Sequence, residues 1–571
     1  MDEVSAQRRL KLAIGVALLM LPLGATAQTD PFRAKTVGLW FMGQSLGEGS
    51  ESLPLVTPVD TGWGNYAFKR GVRTWLAGDH ARDPAKRPQT DFTFVPLVAA
   101  SNGGLGETIA NGLADHLKAT LLRTAQPRAV APHFLAAYAG QGGRMIEELS
   151  AADEAADPRT PPVKQGGGYY QTSLDDARRA VQQAKSARQD FAIAALVWMQ
   201  GEANGGPTGG IVPSRWDPEL PSPAGQDWYR DRLMAYRKKW SADLTAITQQ
   251  RGEIPMFTYQ TLGPAGEAQL MAADADHHLY LAGPHYAVAS ALNSRTTQGR
   301  YGAAIHLSAD GERWFGEQVA KVIRRVLVEA EDWQPLRPRK AWIEDSGSSV
   351  IIEFTVPRPP LILDDKFLPL QQSPLAEGFS TLAGFRLHDG AGAVALIRAV
   401  EVASATRFRI RLVSPLKADR PYSISYGSSF CSHLGAIASI RKGSDISGQP
   451  TTELVIKPKP PQPLLDEGAF YVMNTAGGAA LAQAPIRQVR TEGETSVLRF
   501  ENRELRGGVP FVEGQTINAL RPFSYGNLRD SDSEAAIFSF ADSAYGTRAG
   551  QPYPLWNWCV LFSGFPVTPH P

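Results

Sequence analysis

Two short motifs, far apart in the chain, contain a hydroxyl side chain and an imidazole that together could carry out a nucleophilic attack. Ser45 ends the motif Gly-Gln-Ser, directly after an apolar run at 37–42, and His306 begins the motif His-Leu-Ser-Ala-Asp-Gly. A serine hydroxyl becomes a nucleophile when a neighbouring histidine takes its proton, and histidine titrates near neutral pH. Taken singly, each motif is also compatible with a structural role, as a turn serine or a buried histidine.

Two further motifs offer hydrogen-bond donors for a developing oxyanion. Residues 140–144 read Gly-Gln-Gly-Gly-Arg and contain Gly143, and residues 198–202 read Trp-Met-Gln-Gly-Glu and contain Gln200 and Glu202. Consecutive glycines let backbone N–H groups approach a ligand closely, and a glutamine amide can donate to the same oxygen. Each motif, alone, also fits an ordinary strand-end turn.

The elements around these motifs predict that three of them meet at one edge of a sheet. Apolar runs that predict buried strands occupy residues 37–42, 94–100, 133–139, 191–199, 255–261 and 279–282. Helical periods lie between or after them, at 108–122, 174–187, 228–249 and 310–329. Strands that alternate with helices predict an open, mostly parallel α/β sheet, whose ligands bind outside the carboxyl ends of the strands.

The order of the motifs resembles that of the SGNH hydrolase superfamily, and within it the sialate O-acetylesterase-like carbohydrate esterases. The matching blocks are Gly-Gln-Ser at 43–45, Trp-x-Gln-Gly-Glu at 198–202 and His-Leu-Ser-x-x-Gly at 306–311. The resemblance covers residues 35–333 and implies a flavodoxin-like, three-layer α/β/α SGNH hydrolase domain.

The resemblance also implies roles for individual residues. Ser45 is expected as the nucleophile and His306 as the general base, with the Ser45 and Gly143 N–H groups and the Gln200 amide as oxyanion donors. Gln44 is expected beside them in the substrate site. Glu107 precedes a helical period, so it is predicted either to contact substrate or to act as a favourable acidic residue in the first helical turn.

One position departs from the family pattern. The family carries Asp three residues before the histidine, where this chain has Ala303. That aspartate fixes the tautomer of the imidazole, so its loss leaves the orientation of His306 unexplained. Glu202 is the preferred substitute acid, followed by Asp276 and Asp310, and a backbone carbonyl acting in a Ser–His dyad is the remaining possibility.

The expected function is an exported serine esterase that removes O-acetyl groups from a carbohydrate or polysaccharide, with no metal and no organic cofactor. The acetyl and sugar preference is implied by the resemblance alone. Two alternatives stay open: a carbohydrate-binding protein that kept the fold but lost turnover through Ala303, and an esterase acting on lipid or aryl esters.

Composition excludes several other classes of protein. The chain has 571 residues, with 58 Lys+Arg against 57 Asp+Glu and a formal net charge of +1. A near-neutral chain lacks the positive field that holds nucleic acid, so no nucleic-acid partner is expected. Its two cysteines, Cys431 and Cys559, exclude a disulfide framework or a cysteine-rich metal site; whether these two pair is left open.

The N-terminus predicts export. Arg8, Arg9 and Lys11 precede an apolar run at 12–21, and Ala-Thr-Ala follows at 25–27. This is the pattern of a secretory signal peptide at 1–27, because the apolar run is too short to span a bilayer. The mature protein is therefore expected to be secreted or periplasmic, and not an integral membrane protein.

The second half of the chain is predicted to be rich in β-structure. Short strand-like runs separated by turn residues predict a β-sandwich module at 336–456. A proline-rich stretch at 457–463 then predicts a stiff linker. A C-terminal β-rich extension is predicted at 464–571, either as a small domain or as a segment packed on the first domain.

Overall fold

A computed structural model describes residues 30–74, 87–99, 105–123, 131–151, 168–205, 224–288 and 306–569. The last of these ranges leaves out residues 345, 369, 376, 391–392, 418–419, 428–430, 446, 458–470, 477–478, 486–487, 506–510, 521–524 and 542–547. The predicted signal peptide at 1–27 and Ala303 lie outside the described residues.

A seven-stranded sheet forms the centre of the first domain. Its strands are β1 (Thr36–Gly43), β2 (Tyr66–Phe68), β3 (Phe94–Pro96), β4 (His133–Gly140), β5 (Phe191–Met199), β6 (Met256–Gln260) and β7 (Leu279–Pro284). The order across the sheet is β3-β2-β4-β1-β5-β6-β7, and only β2 and β3 pair antiparallel. From β4 to β7 this is the flavodoxin-like order, which reverses at β1.

Helices cover both faces of this sheet. They are α1 (Ile109–Arg123), α2 (Ile146–Leu149), α3 (Tyr169–Ser186), α4 (Ala224–Thr248), α5 (Pro264–Ala275) and α6 (Ala309–Leu327). Alternate residues of β1 enter different cores: Leu39 packs in the cluster of α1 and α6, whereas Trp40 packs in the cluster of α3, α4 and α5. The predicted α/β architecture is confirmed at this level. The strand β2 and the helices α2 and α5 were not predicted.

The helix that follows His306 is held close to α1 by two glycines. A Cβ at Gly112 would lie 1.9 Å from the Arg313 carbonyl oxygen, and one at Gly316 would lie 2.2 Å from the Ile109 carbonyl oxygen. Only glycine permits this approach of the two helix backbones. Ser308 begins α6 as its N-cap, because its Oγ accepts a hydrogen bond from Gly311 N at 3.1 Å. The start of α6, and with it His306, is thereby positioned.

From Arg337 onward the described residues form β-strands and short 3-10 segments, and no α-helix is found among them. The strands are β8 (Arg337–Ile343), β9 (Ser349–Thr355), β10 (Ile362–Leu363), β11 (Gln372–Leu375), β12 (Gly378–Leu382), β13 (Phe385–Asp389), β14 (Val394–Ala395), β15 (Ile397–Val402), β16 (Arg407–Leu412), β17 (Tyr422–Tyr426), β18 (Cys431–Ser444), β19 (Pro450–Lys457), β20 (Tyr471–Ala476), β21 (Ala479–Pro485), β22 (Gln488–Glu492), β23 (Thr495–Glu501), β24 (Thr516–Leu520), β25 (Leu528–Arg529), β26 (Ala535–Ser539), β27 (Pro552–Pro554) and β28 (Phe562–Val567). The predicted β-rich character of this region is confirmed.

The sheets group these strands differently from the predicted segments. One sheet has the order β28-β17-β13-β12-β15-β16-β9-β8, and Thr568, just after β28, bonds to Ala341 and Ile343 of β8. The other sheet has the order β21-β20-β24-β18-β19-β23-β22. Residues 431–457 therefore pair with strands beyond the proline-rich stretch, and the C-terminal strand returns to the sheet that precedes it. Pairing between distant segments leaves no local trace in the sequence.

Residues after 525 also pack against the first domain. Lys321 of α6 is fully buried and donates to Asp532 Oδ2 at 3.1 Å and to Asn557 Oδ1 at 2.8 Å. Cys559 is buried in the core of the first of the two β-sheets, whereas the side chain of Cys431 lies outside the described residues. Among the helices that the structure describes, none combines the length and apolarity that a bilayer crossing requires.

Candidate active site

Ser45 lies at the point where the strand order reverses. It is half-buried and begins the loop of residues 45–57, here called the serine loop, which follows Gln44 at the carboxyl end of β1. Gln44 anchors the start of this loop, because its N–H donates to Met199 O at 2.9 Å and its own carbonyl accepts from the Tyr138 hydroxyl at 2.9 Å. In open α/β sheets, ligands bind in the crevice at the carboxyl ends of the strands, at the point where the strand order reverses.

The glycine-rich turn after β4 lies against Ser45. A Cβ built on Gly142 would be 3.5 Å from Ser45 Cβ, in van der Waals contact, and only 2.7 Å from Glu48 Oε1, so the backbone lies beside the serine and close against Glu48. Gly143 follows with φ +70°, in the left-handed region that favours glycine. The structure thus brings the Gly-Gln-Ser motif and the glycine-rich motif at 140–144 together, and Gly142 is the glycine that lies beside Ser45.

The turn after β5, residues 200–205 and here called the β5 turn, is closed by its own hydrogen bonds. Gln200 Nε2 donates to Arg144 O at 3.2 Å and to Asn204 Oδ1 at 2.6 Å, and its Oε1 accepts from the Tyr229 hydroxyl at 2.7 Å. Gln200 and Asn204 are both fully buried. The Gln200 amide therefore uses both of its hydrogens inside the protein, and its predicted part in an oxyanion site stays a prediction.

Asn204 joins this turn to the start of α2. Its Oδ1 accepts from Ile146 N at 2.9 Å, and its Nδ2 donates to Glu147 Oε2 at 3.1 Å. Burial raises the pKa of Glu147 to about 8, against the hydrogen bond from Asn204. Gln44 closes the other side, because its Oε1 accepts from Ala203 N at 3.0 Å. The ends of β1, β4 and β5 are thus tied into one rigid rim.

Glu202, the predicted substitute acid, is occupied by other partners. Its Oε1 accepts from the hydroxyl groups of Tyr259 and Thr261, both at 2.5 Å. The histidine whose titration it affects is His285, which follows β7. Burial lowers the pKa of His285, and the negative charge of Glu202 opposes that shift. No contact between Glu202 and His306 is found in the described part of the chain.

The other two predicted substitutes are engaged elsewhere. Asp276 Oδ2 pairs with Arg237 Nε at 2.6 Å. Asp310 accepts from Ala541 N at 3.0 Å and from the Tyr553 hydroxyl, so it fastens α6 to the C-terminal segment. Ala303 itself lies outside the described residues, and a backbone carbonyl partner for His306 stays a prediction.

The carboxylate that does lie at His306 is Glu51, in the serine loop. His306 Nδ1 is 3.1 Å from Glu51 Oε2, and the side chains are 13% and 45% exposed, respectively. The next residue, Ser52, donates from Oγ to Leu307 O at 3.0 Å. The serine loop therefore begins with Ser45 and contacts the His306–Leu307 segment six and seven residues later. Sequence analysis missed Glu51; the only signal was a carboxylate within six residues of the serine.

Glu107 lies beneath the serine loop and is fully buried. Its Oε2 accepts from Thr57 N at 2.9 Å and from Val56 N at 3.1 Å, and its own N–H donates to Ser52 O at 3.0 Å. Burial raises the pKa of Glu107 to about 7. Glu312 of α6 is buried with it, and burial followed by the charge of Glu107 raises the pKa of Glu312 well above its usual value. These contacts give Glu107 a structural task; a contact with substrate stays a prediction.

In the part of the chain that the structure describes, no three His, Cys, Asp or Glu side chains are grouped so as to hold a metal ion. What the rim does provide is a half-buried hydroxyl, a glycine backbone against it, and a histidine beside a carboxylate. This is the composition of a site for nucleophilic acyl transfer.

No protein-family model and no curated protein matches the chain. Among solved structures, it is similar to a carbohydrate acetylesterase from Xanthomonas citri, with 15% identity, a TM-score of 0.42, and coverage of 68% of this chain and 74% of that one. It is also similar to NanS, with 16% identity and a TM-score of 0.31. That match covers 52% of this chain and 99% of NanS. Both TM-scores lie below 0.5.

Proposed function

We propose that this chain is an exported serine esterase that removes O-acetyl groups from a carbohydrate through an acyl-enzyme on Ser45. The observation that carries the proposal is the serine loop. It starts with Ser45 at the reversal point of the sheet, against Gly142, and contacts the segment of His306 through Glu51 and Ser52. Export is proposed from the signal-peptide pattern at 1–27.

The proposed reaction has two steps. His306 takes the proton of the Ser45 hydroxyl as the oxygen attacks the ester carbonyl, and the sugar alcohol leaves with that proton. Water then attacks the acyl-enzyme, with His306 again as the base, and acetate is released. Backbone N–H groups of Ser45 and of the glycine-rich turn are proposed to stabilise the oxyanion in both steps.

The first test labels the nucleophile without any choice of substrate. The chain beginning at residue 28 is treated with a fluorophosphonate, and the adduct is located by intact mass and peptide mapping. We expect one adduct, on Ser45, that disappears in Ser45→Ala and persists in the control Ser348→Ala, whose serine is exposed on the β-sheet region. A folded protein that takes up no label at Ser45 would contradict the proposal and favour a binding protein.

The second test measures the acyl group that the site accepts. We expect p-nitrophenyl acetate to be cleaved with a kcat/KM at least about tenfold above that of the octanoate, because a small acyl pocket excludes long chains. Acetate release from a peracetylated sugar then tests the alcohol side. A preference for octanoate would keep the serine mechanism and replace the carbohydrate substrate by a lipid ester.

A further inference from the structure

We propose that Glu51, on the same loop as the nucleophile, is the carboxylate that orients His306 during turnover. This inference rests on the proposed function, because an orienting acid has a task only where His306 acts as a base. It assigns the role that Ala303 leaves open to a residue 252 positions earlier in the chain. Glu51 is a positioning residue in this scheme, since it acts through the imidazole.

The position of the carboxylate selects the useful tautomer. Glu51 Oε2 lies 3.1 Å from the buried Nδ1 of His306, a close contact without hydrogen-bond geometry, and no described residue makes a hydrogen bond to that nitrogen. A carboxylate at Nδ1 favours the tautomer with its hydrogen there. The lone pair is then on Nε2, which is the nitrogen that must take the serine proton.

The backbone conformation of Glu51 and the contacts of the next residue hold Glu51 in place. Its φ is +66°, a left-handed conformation that is uncommon for a residue with a side chain. Ser52, the next residue, is bonded in both directions, through Oγ to Leu307 O and through its carbonyl oxygen to Glu107 N. Strained backbone that surrounding contacts maintain is a common feature of functional loops.

The other acids near the rim do not compete for this role. Glu202 accepts from Tyr259 and Thr261, while Glu48 pairs with Arg73 at 3.3 Å and accepts from Ser50 Oγ at 3.1 Å. Glu107 and Glu312 are buried below the loop, where burial raises the pKa of each and favours the neutral form. Glu51 is partly exposed, and its Oε2 lies 3.1 Å from the imidazole Nδ1 of His306.

The exposure of Glu51 sets the size of the effect. A buried triad aspartate contributes about 10⁴-fold to kcat through the tautomer that it holds. Solvent weakens the hold of a carboxylate that is 45% exposed. We therefore expect Glu51→Gln to lower kcat by about 10- to 100-fold, well short of the loss on removing the histidine.

The test compares Glu51→Gln, Glu51→Ala and Glu51→Asp in the chain beginning at residue 28. The matched control is Glu401→Gln, because Glu401 is 41% exposed and ion-paired with Arg409 on the β-sheet region. With p-nitrophenyl acetate we expect the loss in kcat, a KM within twofold of wild type, partial recovery in Glu51→Asp, and an unchanged thermal transition. The rate of fluorophosphonate labelling should fall in parallel with kcat.

Three outcomes would overturn the inference. A kcat of Glu51→Gln within twofold of wild type, in a protein that labels on Ser45, refutes the role of Glu51 and leaves the proposed function standing. A loss of kcat in Glu202→Gln that Glu51→Gln does not share assigns the role to Glu202 instead. A folded wild type that is not labelled on Ser45 refutes the proposed function, and the role of Glu51 with it.

Discussion

The serine loop and the β5 turn flank the same end of β1, yet they use their polar groups in different ways. In the β5 turn, Gln200 and Asn204 are fully buried, and their side-chain amides form hydrogen bonds with each other and with neighbouring backbone. In the serine loop, Ser45 is half-buried and Glu51 is 45% exposed, beside a histidine. The more specific sequence motif thus builds the rigid rim, while the groups proposed to react lie in and beside the serine loop.

This contrast has a physical basis. A buried amide must be fully hydrogen-bonded, so a closed network such as that of Gln200 and Asn204 restricts the residues that fit there. A nucleophile and its base need access to substrate, so they are placed on loops that a rigid scaffold supports. The three predictions below test this division, in order of decreasing expected effect.

The largest effect is expected from His306→Ala. If His306 serves as the base, kcat should fall by about 10⁴-fold, because the serine hydroxyl loses its proton acceptor. The thermal transition should stay within a few degrees of wild type. Steady-state hydrolysis of p-nitrophenyl acetate and thermal unfolding check both points.

The control for that measurement is His278→Ala, a histidine with a 43% exposed side chain outside the rim. It should leave both readouts near wild type. Extensive unfolding of His306→Ala would instead make the histidine a structural residue, and the two sides of the rim would no longer differ.

An intermediate effect is expected from Asn204→Ala. The change removes the bonds to Ile146 N, Gln200 Nε2 and Glu147 Oε2 from a fully buried position. Buried groups left without partners should lower the free energy of unfolding by about 2–4 kcal/mol, measured by urea denaturation. The exposed Asn502→Ala should change it by less than about 0.5 kcal/mol.

If Asn204→Ala kept its stability but lost hydrolysis, the β5 turn would act on substrate and not as scaffold. The contrast with the serine loop would then fail. If activity falls only in proportion to the unfolded fraction of the protein, the β5 turn acts as scaffold and the contrast with the serine loop is strengthened.

The smallest effect is expected from Glu107→Gln, and it depends on pH. Burial raises the pKa of Glu107 from 4.5 to about 7 in the folded protein. Since the folded state binds this proton more tightly than the unfolded state does, the charge costs stability as pH rises from about 4.5 to 7. The neutral glutamine escapes that cost and keeps an oxygen for Val56 N and Thr57 N.

Glu107→Gln should therefore be more stable than wild type by up to about 3 kcal/mol at pH 8 and equal to it at pH 4. Urea unfolding of both proteins at the two pH values measures this difference. The same gain at pH 4 and pH 8, or no gain at either pH, would show that ionisation of Glu107 does not make the stability of the protein depend on pH.

Much of the first domain was predictable because its signals are local. The apolar run FAIAALVWM predicted β5 at 191–199, which is where the strand lies, and the helical period at 310–329 predicted the last helix, whose observed N-cap is Ser308. A strand covered on both faces needs a continuous apolar run, and an N-cap needs a short polar side chain. The helix α5 was missed, since it begins at Gly-Pro and its alanine-rich run shows only a weak apolar period.

The second half was predictable in its secondary structure but not in its sheets. The strand β17 lies inside the predicted β-rich segment at 336–456, yet its partner β28 begins more than a hundred residues later. The proline-rich stretch suggested a boundary, but strands on either side of it share one sheet. Strand pairing depends on which edges meet in space, and composition does not encode it.

The sequence alone determined the kind of elements, their order, and that Ser45 and the glycine-rich turn follow strands whose ends must meet at one edge. Residue types and periodicity suffice for this, because a parallel sheet brings its carboxyl ends together. The tertiary structure decided which carboxylate lies at His306 and which amides are closed off in the rim. Those outcomes depend on contacts between residues up to 255 positions apart, which place Glu51 at the imidazole and Glu202 between two hydroxyls.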